Sequence, residues 1–212
     1  MLGYNLADST VAKYMPKQRK PPSPTWRTFL TNHGGCLASI DFCVVPTATF
    51  RILYVFIVLL QERRRIVHFA VTEHPNAVWV SRQIRHAFPF DKAPRYLIRD
   101  RDSIYGNALQ QTLAMLGIKE VLTAPRSPWQ SPFVERLIGS LRRECLDHVI
   151  VLNERHLHRI VSAYCHYYHT ARTHLSLGRN APIPRVIESV ASDRVVSEPM
   201  VGGLHHRYRR VA

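Results

Sequence analysis

Residues 94–148 decide the fold of this chain, and they read PRYLIRDRDSIYGNALQQTLAMLGIKEVLTAPRSPWQSPFVERLIGSLRRECLDH. The apolar run at residues 96–98 predicts a short buried strand, which ends at Arg99 and Asp100. Residues 108–116 have the spacing of a helix that stops at a glycine, and residues 118–122 predict a further strand. This part of the chain therefore alternates between strand and helix, with an acid directly after a strand.

The second half of the stretch predicts a loop and then an amphipathic helix. Loop-forming Pro and Ser residues fill residues 123–132, and Glu135 follows almost at once. From Phe133 onward apolar residues recur at intervals of three and four, which is typical of a helix; they are Val134, Leu137, Ile138, Leu141 and Cys145. Glu135 therefore lies in the first turn of this helix. Taken alone, an acid in the first turn needs no functional explanation, because the helix dipole favours a negative charge there.

A second acid of interest lies upstream, in the first of three adjacent predicted strands. These strands are residues 37–45, 51–60 and 65–71, and the short turns between them favour antiparallel pairing. Asp41 is the only acid of the first strand, where it lies among apolar residues. A buried carboxylate is costly unless a cation or a metal compensates it. Strand alternation would also allow this carboxylate to point to solvent, and the strand sequence alone leaves both readings open.

The order of the acids carries a family resemblance. Asp41, Asp100 and Glu135 occur in the same order, and on the same kinds of predicted element, as the three catalytic acids of DDE transposases and retroviral-type integrases. From about residue 39 to residue 184 the chain resembles the integrase core of a bacterial insertion-sequence transposase. Two motifs are similar to motifs of that family. One is the group of residues directly after Asp100. The other is the SPFVE motif, which ends at Glu135 and is followed by a basic helix.

The chain departs from the family pattern at two positions. Many relatives have Gly where this chain has Asp102, so a second acid stands close to the proposed ligand. We assign the role to Asp100, because it directly follows the apolar strand and leaves Tyr105 in its family position. At Ser131 relatives usually have Asn, a difference that bears on how the loop before Glu135 is positioned.

The resemblance implies an α/β protein with a ribonuclease H-like fold, a five-stranded mixed sheet flanked by helices. The predicted order of three strands, helix, strand, helix, strand and further helices agrees with an α/β class. In that fold the first and fourth strands pair. We therefore expect Asp41 and Asp100 to be neighbours and Glu135 to reach them from its helix.

The resemblance also implies an enzyme, a metal-dependent polynucleotidyl transferase that cleaves and joins DNA strands. Asp41, Asp100 and Glu135 would hold two Mg²⁺ or Mn²⁺ ions, with Asp41 bridging both, and oxygen ligands suit these hard cations. One alternative is a catalytically inactive, truncated DNA-binding remnant of a transposase. Another is a nuclease of the same fold that acts on RNA–DNA hybrids, which no motif of the sequence favours.

The charge of the chain indicates an anionic partner. There are 29 Lys and Arg residues against 15 Asp and Glu residues, a formal net charge of +14. Nucleic acid is the favoured partner, and a membrane is not, since no apolar run reaches the roughly 20 residues of a spanning helix. Candidate DNA-binding residues lie on the helix after Glu135 and in an N-terminal basic linker; they are Arg136, Arg142, Arg143, Lys17, Arg19 and Lys20.

The predicted domain division has three parts. Residues 1–24 combine a short helix with a basic linker, which resembles the end of a helix-turn-helix and implies a truncated or internally started copy. Residues 25–184 form the integrase-type core, and residues 185–212 a basic tail. The resemblance further implies transposon ends and target DNA as partners, and a homo-oligomer assembled on DNA.

The cysteines and histidines indicate no zinc module. The 4 cysteines have no CxxC spacing and no signal peptide precedes them, which predicts reduced, mostly packed residues of a cytoplasmic protein. The family resemblance implies a bacterial, nucleoid-associated location. The 12 histidines include no pair that stands at finger spacing from a cysteine pair, so we interpret them as solvated or stacking residues.

Overall fold

The central feature of the structure, a computed structural model that describes residues 24–89, 92–125, 127–186 and 194–211, is a five-stranded sheet. Its strand order is β3-β2-β1-β4-β5. The first three strands pair antiparallel, and the last two run parallel to β1 and to each other. The strands are β1 (Leu37–Pro46), β2 (Ile52–Leu60), β3 (Arg65–Thr72), β4 (Tyr96–Arg99) and β5 (Lys119–Leu122). The expected five-stranded mixed sheet is confirmed.

Helices cover both faces of this sheet. One apolar cluster joins the sheet to α2 and α3, and a second joins it to α4 and α5. The helices are α1 (Pro24–His33), α2 (Ala77–Ala87), α3 (Asn107–Met115), α4 (Pro132–Glu144) and α5 (Glu154–Thr170). Within the described ranges no helix combines the length and the apolar character that crossing a bilayer would require.

Strand β2 shows how the sequence specifies the two layers. Val55 and Ile57 pack in the α4/α5 layer, whereas Phe56 and Val58 between and after them pack in the α2/α3 layer. Successive side chains of a strand point to opposite faces, so a strand covered on both sides must be apolar throughout. The unbroken apolar run of residues 52–60 is therefore a central strand of the core.

Asparagine side chains start two of the helices. The Asn76 side chain accepts a hydrogen bond from the Trp79 N–H at 2.9 Å, and the Asn153 side chain accepts one from the His156 N–H at 2.9 Å. Each bond satisfies a backbone donor that has no partner inside its helix. Asn76 and Asn153 are thus the N-caps of α2 and α5.

An ion pair joins the end of α4 to the segment that follows α5. Arg172 donates to both carboxylate oxygens of Glu144, at 2.6 and 2.8 Å, and the Tyr164 hydroxyl donates to Glu144 at 2.9 Å. Tyr168 and His174 lie buried beside this pair. The buried aromatic residues of this segment thus pack against the protein around the ion pair.

The C-terminal region contains a β-hairpin that the sequence did not predict. Strands β6 (Arg194–Met200) and β7 (His205–Val211) pair antiparallel. The His205 ring stacks on Tyr167 with ring centroids 4.2 Å apart and planes at 4°, and its Nε2 is 2.8 Å from the carbonyl oxygen of Glu144. The predicted helix-turn-helix remnant and linker are residues 1–24, of which residues 1–23 lie outside the described residues.

Packing of α4 onto the sheet yields a test of the fold. Leu137 is 2% exposed and faces the sheet, so Leu137→Ala should lower the free energy of unfolding by about 2–5 kcal/mol through lost burial and a cavity. Urea denaturation measures the change. Met115→Ala is the matched control, because Met115 is 73% exposed on α3 and its truncation should change stability by less than about 0.5 kcal/mol. Equal losses in the two variants would contradict this packing.

Candidate active site

Asp41, Asp100 and Glu135 line a single cavity of about 390 Å³. They reach it from three different elements, the middle of β1, the end of β4 and the first turn of α4. Asp102 lies on the same cavity. The remaining lining residues come from β1, the turn after β4 and the loop before α4; they are Ile40, Arg101, Thr123, Ala124, Pro125, Ser127 and Ser131.

The pairing of β1 with β4 brings the first two acids together. Ser39 of β1 is paired with Ile98 of β4 in parallel register. Asp41 lies two residues after Ser39, and Asp100 lies two residues after Ile98. Asp41 shares its face of β1 with Cys43 and Val45, which pack against α4 and α5. The carboxylate therefore points toward the layer from which Glu135 comes.

The start of α4 determines where Glu135 lies. Pro132 is the first residue of the helix, a position at which its missing N–H has no cost. Val134 and Leu137 are buried against the sheet, which leaves Glu135 exposed at the cavity. The loop and helix pattern in the sequence thus places this acid correctly on the first turn.

Asp41 has the most strongly perturbed carboxyl group of the site. Burial raises its pKa to about 7, against the opposing effect of a 2.7 Å hydrogen bond from the Phe42 N–H. The carboxylates of Asp100, Glu135 and Asp102 raise this pKa further. The cavity therefore concentrates negative charge around a half-buried acid, and a bound cation would relieve that repulsion.

Tyr105 lies buried next to the acids. Its burial, and then the charges of Asp41 and the two acids after β4, raise its pKa well above the usual value, so the phenol stays protonated. The Arg99 guanidinium lies 5.1 Å from the ring centroid of Tyr105 and donates to Glu120 at 2.6 Å. Arg99 is not among the residues predicted from the sequence. Its position at the end of an apolar strand was nevertheless a signal that it would be buried and would form an ion pair with an acid.

Asp100 and Asp102 make similar local hydrogen bonds. Asp102 accepts from the Ile104 N–H at 3.0 Å, and Asp100 accepts from the backbone N–H of Asp102 at 3.2 Å. Each carboxylate therefore supports the turn after β4, and these bonds do not distinguish the two acids as ligands. Both side chains line the cavity, and the choice of Asp100 as the second ligand stays a prediction.

The loop before α4 forms one wall of the cavity. Gln130 accepts a hydrogen bond from the Ala124 N–H at 2.6 Å, and Arg101 donates to the Thr123 carbonyl at 3.0 Å. The Ser131 hydroxyl is buried, and no hydrogen-bond partner for it occurs among the described residues. Sequence reasoning recognised the Pro- and Ser-rich loop but did not name Arg101, Thr123 and Ser127 as lining residues.

The candidate DNA-binding residues have different surroundings. Arg136 and Arg143 are exposed on α4. Arg142 is half-buried and donates from Nη2 to the Val44 carbonyl at 2.7 Å, so its guanidinium lies against the end of β1. Three further candidates, Lys17, Arg19 and Lys20, lie outside the described residues.

The donor atoms of the site suit a hard divalent cation. Carboxylate oxygens are the ligands that Mg²⁺ and Mn²⁺ prefer, and three such side chains face one cavity. Among the residues described, no set of three Asp, Glu, His or Cys side chains is close enough to share one ion. The acids therefore fit the metal in the chemistry of their donor atoms.

The raised pKa of Asp41 predicts a specific pH dependence of stability. In the unfolded chain its pKa is ~3.9, whereas in the folded protein it is about 7. The folded state thus binds the extra proton, so this residue's contribution to stability is fully present below about pH 4 and is lost as the pH rises toward 7. The loss should be on the order of a few kcal/mol.

Urea denaturation in the presence of a chelator at pH 5 and pH 8 tests this for wild type and Asp41→Asn. Asn cannot ionise, so the variant should gain stability relative to wild type between the two pH values. The histidines titrate in both proteins, so their contribution cancels when the free energies of unfolding of the two proteins are subtracted at each pH. An unchanged difference would show that Asp41 is solvated and not perturbed.

Two sequence comparisons bear on the family of this chain. Residues 116–182 match the family model described as "Integrase core domain", a span that contains Glu135 and not the other two acids. The chain is also 26% identical over 145 residues to the "Insertion element IS476 uncharacterized 39.2 kDa protein" of Xanthomonas euvesicatoria. That alignment covers 68% of this chain and 42% of the relative, so the chain matches less than half of the relative's length.

Solved structures of similar fold come from integrases and transposases. The catalytic domain of Mos1 mariner transposase superposes with a TM-score of 0.57 at 12% identity, over 67% of this chain and 78% of that domain. A chain of the simian T-cell lymphotropic virus intasome gives a TM-score of 0.56 at 14% identity, over 82% and 66% of the two chains. The resemblance to insertion-sequence transposases and integrase cores is confirmed, and the chain has the ribonuclease H-like fold of their catalytic domains.

Proposed function

We propose that this chain is a metal-dependent catalytic core of a transposase, which cleaves and joins DNA strands at the cavity of Asp41, Asp100 and Glu135. The observation that carries the proposal is the convergence of these three acids, from β1, β4 and α4, on one cavity in which burial, and then repulsion by the neighbouring carboxylates, raises the pKa of Asp41. The integrase core match and the similar solved structures support it.

The three acids would hold two Mg²⁺ or Mn²⁺ ions, with Asp41 shared and Asp100 and Glu135 each holding one. Such ions, when bound, stabilise the charge that develops on a phosphodiester under attack by water or a 3′-hydroxyl. Asp41 must release its proton before it can hold a cation, and at neutral pH its pKa of about 7 makes that release inexpensive.

The residues around the acids would position the DNA. The buried hydroxyl of Ser131 is available to donate a hydrogen bond to a substrate oxygen in the cavity. Arg136 and Arg143 on the exposed side of α4, and Arg142 beside β1, would contact the phosphate backbone. Lys17, Arg19 and Lys20 would add non-specific contacts to the same partner.

Transposon ends and target DNA are the proposed substrates, and assembly of several copies on DNA is proposed with them. With DNA as the partner, we propose that the protein is located at the bacterial nucleoid. The formal charge of +14 supports it, because so basic a chain is attracted to polyanions over long distances.

A DNA-binding protein without catalysis is the second candidate. It is favoured by the formal charge of +14, which attracts DNA whether or not the acids hold a metal. Metal-dependent nicking distinguishes the two functions directly.

The first functional prediction concerns cleavage. Glu135→Gln keeps the side-chain shape and removes one charged ligand, so nicking of a supercoiled plasmid that carries the element's ends should fall by more than about 100-fold, since even supporting residues of metal sites contribute 10–100-fold. Affinity for the same DNA should stay level or rise, because one repulsive charge is lost. Gel electrophoresis measures nicking and fluorescence anisotropy measures binding.

Asp100→Asn and Asp102→Asn provide the matched pair for this test. Asp100→Asn should abolish nicking, whereas Asp102→Asn should retain most of it. If the two variants behave in the reverse way, Asp102 is the second ligand. If wild type nicks no DNA with either Mg²⁺ or Mn²⁺, the second candidate function replaces the first.

The second functional prediction concerns stability. A metal that binds only the folded state should raise the free energy of unfolding by ~2.7 kcal/mol at a hundred times its dissociation constant. Thermal unfolding with increasing Mn²⁺ should show this for wild type and a smaller effect for Glu135→Gln. Equal shifts in both proteins would place the bound ion elsewhere.

A further inference from the structure

A second cavity, of about 670 Å³, lies between the segment that follows α5 and the C-terminal hairpin. It is lined by the end of α5 at Thr170, by the turn at residues 178–180, by residues 183–186 and by Arg207 and Tyr208 of β7. We call it the basic cleft. It shares no lining residue with the cavity of the three acids.

The charge of the basic cleft is one-sided. Three guanidinium groups line it, from Arg179, Arg185 and Arg207, and its described lining contains no acid. The Nε of Arg185 is buried, and among the described residues it has no hydrogen-bond partner. A buried N–H of an always-charged group is costly without an acceptor. The cleft is therefore suited to an anion that supplies acceptors.

The arginines of the cleft are held by an ordered frame. The Asn180 side chain accepts hydrogen bonds from the backbone N–H groups of Ala181 and Arg185, at 2.8 and 3.1 Å. Arg63 donates to the carbonyl oxygens of Pro182 and Ala181, at 2.8 and 3.2 Å, which fixes this segment beside the start of β3. The segment that carries Arg185 is thus ordered before binding, which lowers the cost of ordering that part of the cleft.

The hairpin contributes an arginine that is not neutralised within the cleft. On β7, Arg209 forms an ion pair with Glu198 of β6. Arg207, half-buried and opposite Glu198 in the strand register, lines the cleft, and no ion pair of Arg207 occurs among the described residues. Arg207 is therefore the arginine of β7 that lines the cleft, whereas Arg209 is the one paired with Glu198.

We propose that the basic cleft binds phosphate groups along the backbone of a polynucleotide, at a distance from the acid-lined cavity. Guanidinium groups form strong, charge-assisted hydrogen bonds with phosphate oxygens. Three of them, from three segments around a space much larger than one phosphate ion, suit successive phosphates of a strand better than a single small anion. The choice of a polynucleotide rests on the proposed function, and the preference for phosphate rests on the cleft alone.

The test measures DNA binding by the full chain in a chelator, so that cleavage plays no part. The variant is Arg179→Asn/Arg207→Gln; Asn suits position 179, where φ is 61°, and Gln keeps most of the length of Arg207. Fluorescence anisotropy with a labelled duplex, over a range of salt, should show affinity reduced by about tenfold or more. The slope of log affinity against log salt should become shallower by about 2, because each lost phosphate contact lowers it by ~0.9.

A control with the same change in net charge separates the cleft from general electrostatics. Arg82→Asn/Arg85→Gln removes two exposed arginines of α2, neither of which lines the cleft or the acid-lined cavity. It should weaken binding much less than the cleft variant does. Thermal unfolding of both variants establishes that they are folded. Equal losses of affinity in the two variants, or an unchanged affinity in the cleft variant, overturn the proposal.

Two further measurements identify the ligand and separate this proposal from the proposed function. Inorganic phosphate, added at constant ionic strength, should not displace the labelled duplex; displacement at millimolar phosphate would show a small-anion site and overturn the polynucleotide assignment. If wild type does not nick while the cleft variant still loses affinity, the proposed function fails and the cleft proposal stands.

Discussion

The parallel pairing of β1 with β4 is the constraint on which the candidate active site depends. Only three residue pairs define it, from Leu37 with Tyr96 to Ser39 with Ile98. Asp41 and Asp100 each follow two residues later, so one register fixes both acids. A slip of one residue would turn one of the side chains to the opposite face. The apolar layers on both sides of the sheet exclude such a slip, and the core thereby determines the distance between two charged groups.

The site combines opposite electrostatic requirements at different length scales. The chain as a whole carries a net charge of +14 and attracts polyanions. At the cavity itself, four carboxylates are gathered, and their repulsion contributes to the raised pKa of Asp41. A nucleic acid would thus be attracted to the molecule and repelled at its most acidic point. A bound cation at that point would reverse the local sign, which is why the proposed chemistry and the charge distribution agree.

Much of the fold could be predicted because its elements have strong periodic patterns. The apolar run of β2 and the three-and-four spacing of α4 each determine one element and its buried side. The order of the three acids, read with the family resemblance, predicted which side chains would share a cavity. The hairpin could not be predicted in this way, since β6 contains Pro199 and buries little of its surface. The same holds for the pair of Glu144 and Arg172, because contacts between distant residues leave no periodic pattern.

The attachment of the hairpin to the body has a consequence for how stability is distributed. Two strands alone are marginally stable, and β6 and β7 have largely exposed side chains. Their ordered contact with the core includes the stacking of His205 on Tyr167 and the hydrogen bond to the Glu144 carbonyl. Regions with few buried contacts open at a lower free energy than the whole protein. Amide hydrogen exchange should therefore detect the hairpin as a separate cooperative unit that opens while the central sheet stays closed.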